Sequence, residues 1–208
     1  MNCGLEVIPN IKATFVANCT NSPCYTKNAL LSYHWRLFQE TNEAWSELHQ
    51  MQEIRGTRAN SNFFTINPDA IIPGRKYRLT IDVENMNDGS SKGFSAWLFK
   101  SSTIPFGGSC TASKSSGMAI QTVFTLKCAN WNDTNTPLLY EFLVPLAEGL
   151  SAILSYSYST ATEIVLPPGE FVKNYSLKIE AVVTSSIGSS SSTSLTIQVS
   201  REFYWRQI

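Results

Sequence analysis

The sequence predicts an all-β protein built of two tandem antiparallel β-sandwich domains. Three observations carry this prediction: an internal repeat with a period of about one hundred residues, segments in which apolar and polar residues alternate, and turn signals roughly every ten residues. Enrichment in β-branched and aromatic residues favours antiparallel sandwiches over alternating strands and helices. A chain of 208 residues has room for two such domains.

The repeat matches cysteine, aromatic and Pro-Gly positions in the two halves of the chain. In chain order the matched positions are Cys19 with Cys128, Tyr33 with Tyr140, Trp35 with Phe142, Pro73-Gly74 with Pro168-Gly169, and Tyr77 with Tyr175. Between the halves lies a cluster of Ser, Pro and Gly over residues 101–108, which is typical of a domain junction. We therefore predict a first sandwich over residues 1–103, a second over 104–200, and a tail or linker over 201–208.

Period-two alternation predicts individual strands in each half. In the first half the apolar positions are Tyr77, Leu79, Ile81 and Val83; in the second they are Tyr175, Leu177, Ile179 and Ala181, with Leu195, Ile197 and Val199 in a closing strand. Asn87-Asp88-Gly89 predicts a turn between two strands of the first half. Tyr33, Trp35 and Leu37 fall on one face of a further strand, and we expect Trp35 to belong to the core.

Residues 41–52 do not fit the strand pattern. Trp45, Leu48 and Met51 recur at helical spacing behind Thr41, a residue that can cap a helix. An irregular pair of strands is the alternative. The spacing slightly favours a single amphipathic helix inserted between sandwich strands.

The charge balance argues against partners that are held by bulk electrostatics. Sixteen basic and sixteen acidic residues give a net charge of zero, and charged residues make up only 15% of the chain. Binding to nucleic acid or to an anionic membrane surface depends on an excess of positive charge. No stretch approaches the roughly 18 uninterrupted apolar residues of a membrane span. We expect neither a nucleic-acid partner nor direct insertion of this chain into a membrane.

Cysteines and glycosylation triplets indicate the compartment. Three Asn-x-Ser/Thr triplets begin at Asn18, Asn132 and Asn174, and five cysteines are present. Together they favour an oxidising, extracellular setting. The first residues lack the basic and apolar regions of a signal peptide, which favours a piece of a longer ectodomain. A small cytosolic protein with reduced thiols is the alternative.

A central block of the sequence resembles the REJ module of polycystin-type proteins and of receptors for egg jelly. The block comprises Gly107-Gly108-Ser109-Cys110-Thr111, the run from Gly117 to Cys128, and Trp131. The pattern of Ile71, any residue, Pro73-Gly74, two further residues and Tyr77, followed by an alternating strand, is similar to the fibronectin type III-like repeats of which REJ modules are built. The resemblance covers nearly the whole chain.

The resemblance implies a non-catalytic module on the extracellular side of the plasma membrane, within a longer membrane-anchored receptor or channel subunit. It supports a disulfide between Cys110 and Cys128, which flank a Ser/Gly loop and one hydrophobic strand. Cys19 and Cys24 are expected to pair across a tight turn, which leaves Cys3 without a partner in the chain. A bond between Cys3 and either Cys19 or Cys24 is the alternative.

The sequence gives little support for an enzyme. His34 and His49 lack the context of a catalytic nucleophile. Glu43, Glu47 and Glu53 fit a solvated face better than a pair of catalytic acids. No calcium loop, phosphate-binding loop or zinc spacing is present, so neither a cofactor nor a metal is expected.

Two non-enzymatic functions remain. The first is a structural and interaction spacer, whose partners are the neighbouring domains of the same large protein. It depends on a stiff link at Ile104, Pro105 and Phe106, with Phe106 docked between the domains. The alternative is an adhesion module that binds an extracellular protein or glycan through exposed aromatics; the candidates are Trp97, Trp131, Tyr156 and Tyr158. An exposed apolar patch would favour this alternative.

Overall fold

The computed structural model describes residues 6–18, 30–87 and 92–201, and strands dominate these segments. The chain divides into two compact units, Met1–Thr103 and Ile104–Ile208. Each unit contains two sheets, antiparallel except for one parallel edge strand in the larger sheet, and each unit has its own hydrophobic core. The predicted all-β class with two sandwich-like units is therefore confirmed.

The first unit contains seven described strands and one short helix. They are β1 (Glu6–Val7), β2 (Ala13–Val16), β3 (Leu31–Thr41), β4 (Ala44–Glu47), α1 (Met51–Ile54), β5 (Phe63–Ile66), β6 (Lys76–Asn85) and β7 (Lys92–Ser101). One sheet has the order β1-β7-β6-β3-β4, with β1 parallel to β7, and the other pairs β2 with β5. Strands β6 and β7 form the predicted hairpin, whose turn lies partly outside the described residues.

Alternation along β6 builds one side of the first core. Tyr77, Leu79 and Ile81 are buried at 0–6% exposure, as the period-two pattern predicts. Tyr77 and Leu79 pack in one core with Phe64 of β5 and Phe99 of β7, which are also buried. Burying a side chain of this size stabilises a fold by about 1.5–3 kcal/mol.

The second unit repeats this architecture with eight described strands. They are β8 (Ser109–Ala112), β9 (Ser116–Met118), β10 (Val123–Ala129), β11 (Leu139–Pro145), β12 (Ser151–Ser157), β13 (Ala161–Val165), β14 (Ser176–Thr184) and β15 (Ser190–Ser200). The larger sheet has the order β12-β11-β14-β15-β9, with β9 parallel to β15, and the smaller has the order β13-β10-β8. Its core includes Phe124, Phe142, Ile179 and Ile197, all at most 1% exposed.

The strand registers test the repeat at the level of single residues. Trp35 lies opposite Ile81, four residues after Tyr77, whereas Phe142 lies opposite Ala181, six residues after Tyr175. The match of Trp35 with Phe142 and the match of Tyr77 with Tyr175 therefore differ by two residues and do not hold together. The reason is a 3-10 turn, Phe171–Lys173, which lengthens the connection before β14.

The predicted helix over residues 41–52 is also wrong, and the strand-pair alternative is right. Thr41 ends β3 and pairs with Ala44 of β4. Asn42 and Glu43 have φ angles of 50° and 64°, the left-handed pair that a two-residue hairpin turn requires. Within the predicted range only its last two residues are helical, at the start of α1 (Met51–Ile54). The helical spacing of the aromatic and apolar residues was accidental, because the hairpin pairing decided the local structure.

Candidate functional site

A disulfide joins Cys110 of β8 to Cys128 of β10 in the second unit. The two residues lie directly opposite each other in the antiparallel pair, and the S–S distance is 2.02 Å. Cys128 is only 1% exposed and forms part of the core. The predicted pairing of these two cysteines is confirmed, and it cross-links neighbouring strands of one sheet.

The remaining cysteines lie outside the described residues. The predicted bond between Cys19 and Cys24, and the alternatives that involve Cys3, therefore remain predictions.

The phenol of Tyr77 anchors the turn before β6 in the first unit. Its hydroxyl oxygen accepts a hydrogen bond from the Ile72 backbone N–H at 2.8 Å and lies 3.4 Å from the Ile72 carbonyl oxygen. Burial raises the pKa of this phenol, and the Ile72 hydrogen bond and the Arg75 charge partly oppose the rise. A tyrosine at the start of this strand that bonds to backbone a few residues upstream is a hallmark of immunoglobulin-like sandwiches.

The three predicted glycosylation asparagines are exposed. Asn132 follows β10, and its side-chain N–H donates to the Asn130 carbonyl oxygen at 2.9 Å. Asn174 ends the 3-10 turn before β14. Asn18 is exposed as well, although the next two residues of its triplet lie outside the described segments. Exposure agrees with attachment of a glycan, and glycosylation at these sites stays a prediction.

Two of the four candidate binding aromatics belong to the interior of their own unit. Trp97 packs against Phe15 and Phe99, with ring centroids 4.7 and 4.8 Å apart. Trp131 is partly buried against the second core and covers Gly108, where a Cβ atom would lie only 2.2 Å from the indole. Packing within their own units therefore occupies part of each indole, and a binding role of these two residues stays a prediction.

Tyr156 and Tyr158 do face solvent, with 65% and 67% of their surface exposed. Tyr156 pairs with Glu141 and Ile153 pairs with Leu143 across the β12–β11 boundary. These positions point away from the core, because Tyr140 and Phe142 point into it. Ile153 is 64% exposed. We call Leu143, Ile153, Tyr156 and Tyr158 the β12 face.

The titratable residues considered in the sequence are not brought together for catalysis. Nε2 of His34 lies 3.1 Å from Oγ of Ser32. Asp82, which lies opposite His34 in the strand pair, forms an ion pair with Arg36 at 2.6 Å. Within the described segments, no group of three or more His, Cys, Asp or Glu side chains could hold a metal ion.

The three glutamates and His49 are equally dispersed. Glu43 lies in the hairpin turn, Glu47 on β4 and Glu53 in α1, whereas His49 is exposed in the segment between β4 and α1. A shallow open depression of about 360 Å³ in the second unit is lined by Ala119, Ile120, Gln121, Pro168 and Arg201. Of these, only Arg201 is ionisable, so the depression offers no acid–base pair.

One arrangement was missed at the sequence level. The Arg78 guanidinium lies over the Phe38 ring at 4.7 Å and over the Trp45 ring at 5.0 Å. The sandwiched cation stabilises the outer face of the larger sheet in the first unit. The alternation of β6 could have indicated this arrangement, because it places Arg78 on the face opposite to Tyr77. The aromatic partners of Arg78 could be assigned only once β4 was known to be a strand.

The first residues of the second unit include Phe106 of the predicted stiff link. The Phe106 backbone forms an antiparallel bridge with Asn132, with N···O distances of 3.0 Å in both directions. This bridge anchors Phe106 to the second unit, and docking of its ring between the domains stays a prediction.

These features define a tandem β-sandwich module of the fibronectin III/immunoglobulin type, with a tyrosine corner in one unit and a strand-to-strand disulfide in the other. Comparison with protein families gives a match to the REJ domain over residues 1–202. The chain belongs to the REJ domain family.

Curated relatives extend this comparison. The chain is 30% identical over 100 residues to the human "Polycystin family receptor for egg jelly" and 27% identical over 100 residues to the mouse protein of that name. Both matches cover 42% of this chain but only 4% and 5% of the relatives, so the chain spans a small part of their length. No helix in the described segments is both long and apolar enough to cross a bilayer.

Solved structures of other proteins show a more distant likeness. The chicken CNTN1 FN1–FN3 crystal structure matches 94% of this chain and 65% of its own at 13% identity, with a TM-score of 0.40. Murine CEACAM1b matches 94% of this chain and 96% of its own at 10% identity, with a TM-score of 0.34.

Proposed function

We propose that this chain is a non-catalytic extracellular module of a larger polycystin-like membrane receptor or channel subunit, and that its two units act as a spacer between neighbouring domains of that protein. The family match over residues 1–202 and the similarity to the polycystin family receptor for egg jelly support this context. The disulfide between Cys110 and Cys128 supports an oxidising compartment, hence the extracellular side of the plasma membrane.

The observation that carries the spacer role is how little chain separates the two folded units. Ser102 is 0% exposed, and its backbone N–H donates to the Val7 carbonyl oxygen at 2.9 Å in the first unit. Already at Pro105, the carbonyl oxygen accepts from the Ser191 hydroxyl at 2.6 Å in the second unit. Thr103 and Ile104 alone lie between these anchors, and Pro105 restricts its own φ and the residue before it.

Small-angle X-ray scattering tests the spacer. The native chain is compared with a variant in which Ile104, Pro105 and Phe106 are replaced by Gly-Ser-Gly. We expect a narrow distribution of distances between the two units for the native chain and a broader one for the variant, because a Gly/Ser link is flexible. Equal, broad distributions would remove the physical basis of the spacer.

A second candidate function is binding of an extracellular protein or glycan through the β12 face. The supporting observation is the exposure of Ile153, Tyr156 and Tyr158 at 64–67% each. Tyrosine suits such contacts because its ring is apolar and its hydroxyl can form hydrogen bonds.

Binding experiments separate the two candidates. The Tyr156→Ala/Tyr158→Ala variant and a control, Phe94→Ala, which removes a 65% exposed ring from the first unit, are applied to a glycan array and to cells that display the rest of the receptor. Adhesion through the β12 face predicts that the tyrosine variant loses binding and the control keeps it. Equal binding by native protein and both variants contradicts the adhesion function and leaves the spacer unaffected.

A further inference from the structure

An exposed apolar tip stands beside one of the glycosylation triplets in the second unit. The 3-10 turn Phe171–Lys173 precedes β14, and its first two side chains are 72% and 86% exposed. An exposed aromatic next to an exposed valine costs solvation free energy unless something covers it. The triplet that begins at Asn174 follows immediately in the chain.

The turn brings Asn174 and Phe171 together in one short loop. The Asn174 backbone N–H donates to the Phe171 carbonyl oxygen at 3.1 Å, which closes one turn of 3-10 helix. Asn174 adopts the left-handed region, with φ 53° and ψ 45°, which asparagine tolerates better than most residues.

The base of this loop is held on the sandwich, so the tip has a defined direction. Glu170 pairs with Ser176 in an antiparallel bridge, and the Tyr175 backbone N–H donates to the Glu170 carbonyl oxygen at 2.8 Å. Two further backbone hydrogen bonds hold the loop to β15. The Gly169 N–H donates to the Val199 carbonyl oxygen at 2.9 Å, and the Val199 N–H donates to the Tyr175 carbonyl oxygen at 2.8 Å.

The Phe171 ring has one aromatic neighbour and is otherwise largely exposed. Tyr175 meets this ring in a T-shaped arrangement, with centroids 5.5 Å apart and planes at 73°. That contact fixes the ring while 72% of the residue stays exposed. A fixed, exposed aromatic face suits a flat apolar ligand, because little side-chain entropy is lost on contact.

We propose that Asn174 carries an N-linked glycan and that the first sugar of this glycan packs on the Phe171 ring. An N-acetylglucosamine ring presents one face of C–H bonds, which is complementary to an aromatic face. The glycan thus covers the apolar tip to which it is attached. This inference concerns a modification and does not depend on the proposed spacer role.

The attachment uses the ordinary chemistry of secretory glycosylation. The co-reactant is a lipid-pyrophosphate-linked oligosaccharide, and a transferase of the host compartment catalyses the reaction. A bond forms between Nδ2 of Asn174 and the anomeric carbon of the first sugar, while the bond from that carbon to the pyrophosphate oxygen breaks. The side-chain amide loses one proton, and the lipid pyrophosphate leaves with the bonding electron pair. Ser176 supplies the hydroxyl that the triplet requires.

The test uses the full chain secreted from a glycosylating host, with Asn18→Gln and Asn132→Gln so that Asn174 is the one remaining triplet. Peptide mapping measures occupancy at Asn174. The melting temperature of the second unit is then compared before and after trimming the glycan from the folded protein. The same comparison is made in Phe171→Ala and in the control Val172→Ala, which also removes an exposed apolar side chain from the tip.

We expect an occupied Asn174 and a melting temperature that falls by about 4 °C on trimming, as the loss of one aromatic contact would produce. The fall should persist in Val172→Ala and disappear in Phe171→Ala. Proton NMR should show an upfield shift of the first sugar's ring protons in the native chain and none in Phe171→Ala. An unoccupied Asn174, or an equal trimming effect with and without Phe171, would overturn the proposal.

Discussion

The side chain of Tyr77 both fills the first core and stabilises a turn. The Tyr77 ring lies in the first core at 0% exposure, while its hydroxyl reaches the backbone of Ile72, five residues upstream. The aromatic body and the polar tip thus have separate structural roles. In the register that matches Trp35 with Phe142, the residue of the second unit that corresponds to Tyr77 is Leu177, which can fill a core but cannot form that hydrogen bond.

Removing the hydroxyl of Tyr77 should therefore destabilise the first unit. We expect Tyr77→Phe to lower its free energy of unfolding by about 1–3 kcal/mol, because the Ile72 N–H loses its acceptor in a partly buried site. Denaturant unfolding measures the change. Tyr33→Phe, on a half-buried ring of β3, is the control and should have a smaller effect.

The raised pKa of the same phenol predicts a pH dependence. Burial favours the neutral form, so the folded pKa lies above the unfolded value of about 10. Below pH 10 both states are protonated and the full stability is present. Above it the unfolded chain ionises first, and stability is lost as the pH rises towards the folded pKa. The stability gap between native protein and Tyr77→Phe should therefore narrow from pH 9 to pH 11; an unchanged gap would contradict this assignment.

At the scale of elements, pairing between strands overrides local preference. The hairpin of β3 and β4 forms although Asn42 and Glu43 both need positive φ and neither is glycine. The disulfide fastens β8 to β10 at directly opposed positions. Both features depend on partners in another strand, and both can be tested by small changes.

Relief of backbone strain in the hairpin turn should stabilise the first unit. A left-handed conformation costs a non-glycine residue about 1–2 kcal/mol, so we expect Glu43→Gly to raise the free energy of unfolding by about 1 kcal/mol. Thermal unfolding measures the gain. Glu43→Ala removes the same carboxylate and keeps the Cβ atom, so it should give no such gain; if alanine stabilises as much as glycine, the turn is not the cause.

Loss of the disulfide should destabilise the second unit. The bond closes a loop of 18 residues, which corresponds to about 3 kcal/mol in the chain-entropy estimate. A reductant should lower the free energy of unfolding of the native chain. A Cys110→Ala/Cys128→Ala variant should have a lower free energy of unfolding without reductant, and adding reductant should change it less. Peptide mapping under non-reducing conditions identifies the bond, and free thiols at both positions in secreted protein would contradict it.

At the scale of the whole molecule, the chain contains two cores with separate membership. One is built from residues of Met1–Thr103 and the other from residues of Ile104–Ile208. Each core joins its own pair of sheets. Damage to one core should therefore stay within its unit.

A pair of core truncations tests this independence. Phe142→Ala should cost the second unit about 3–5 kcal/mol, and Leu37→Ala should cost the first unit about 2–5 kcal/mol, because both side chains are at most 1% exposed. Hydrogen exchange read by mass spectrometry should show lost protection in the truncated unit alone. Loss of protection across both units in either variant would mean that the chain unfolds as one body.

The sequence by itself determined the class of the fold, the division into repeated halves, and the disulfide between Cys110 and Cys128. Alternation such as that of Tyr77, Leu79 and Ile81 is local and needs no knowledge of the partner strand. The family resemblance depended on a cysteine block that is likewise contiguous in the chain. These features follow from patterns along the chain and can be predicted without knowing which strands pair.

Only the tertiary structure decided what depends on residues far apart in the chain. The spacing of Trp45, Leu48 and Met51 satisfied a helix, and β3 overrode it by pairing with β4. The exposure of aromatic side chains also depends on distant residues. Trp97 and Trp131 pack against residues that no local pattern predicts. Tyr156 and Tyr158 have no such cover and remain exposed. The physical reason is that burial and strand pairing are properties of contacts across the sheets, and their free energy exceeds the small preferences of a local segment.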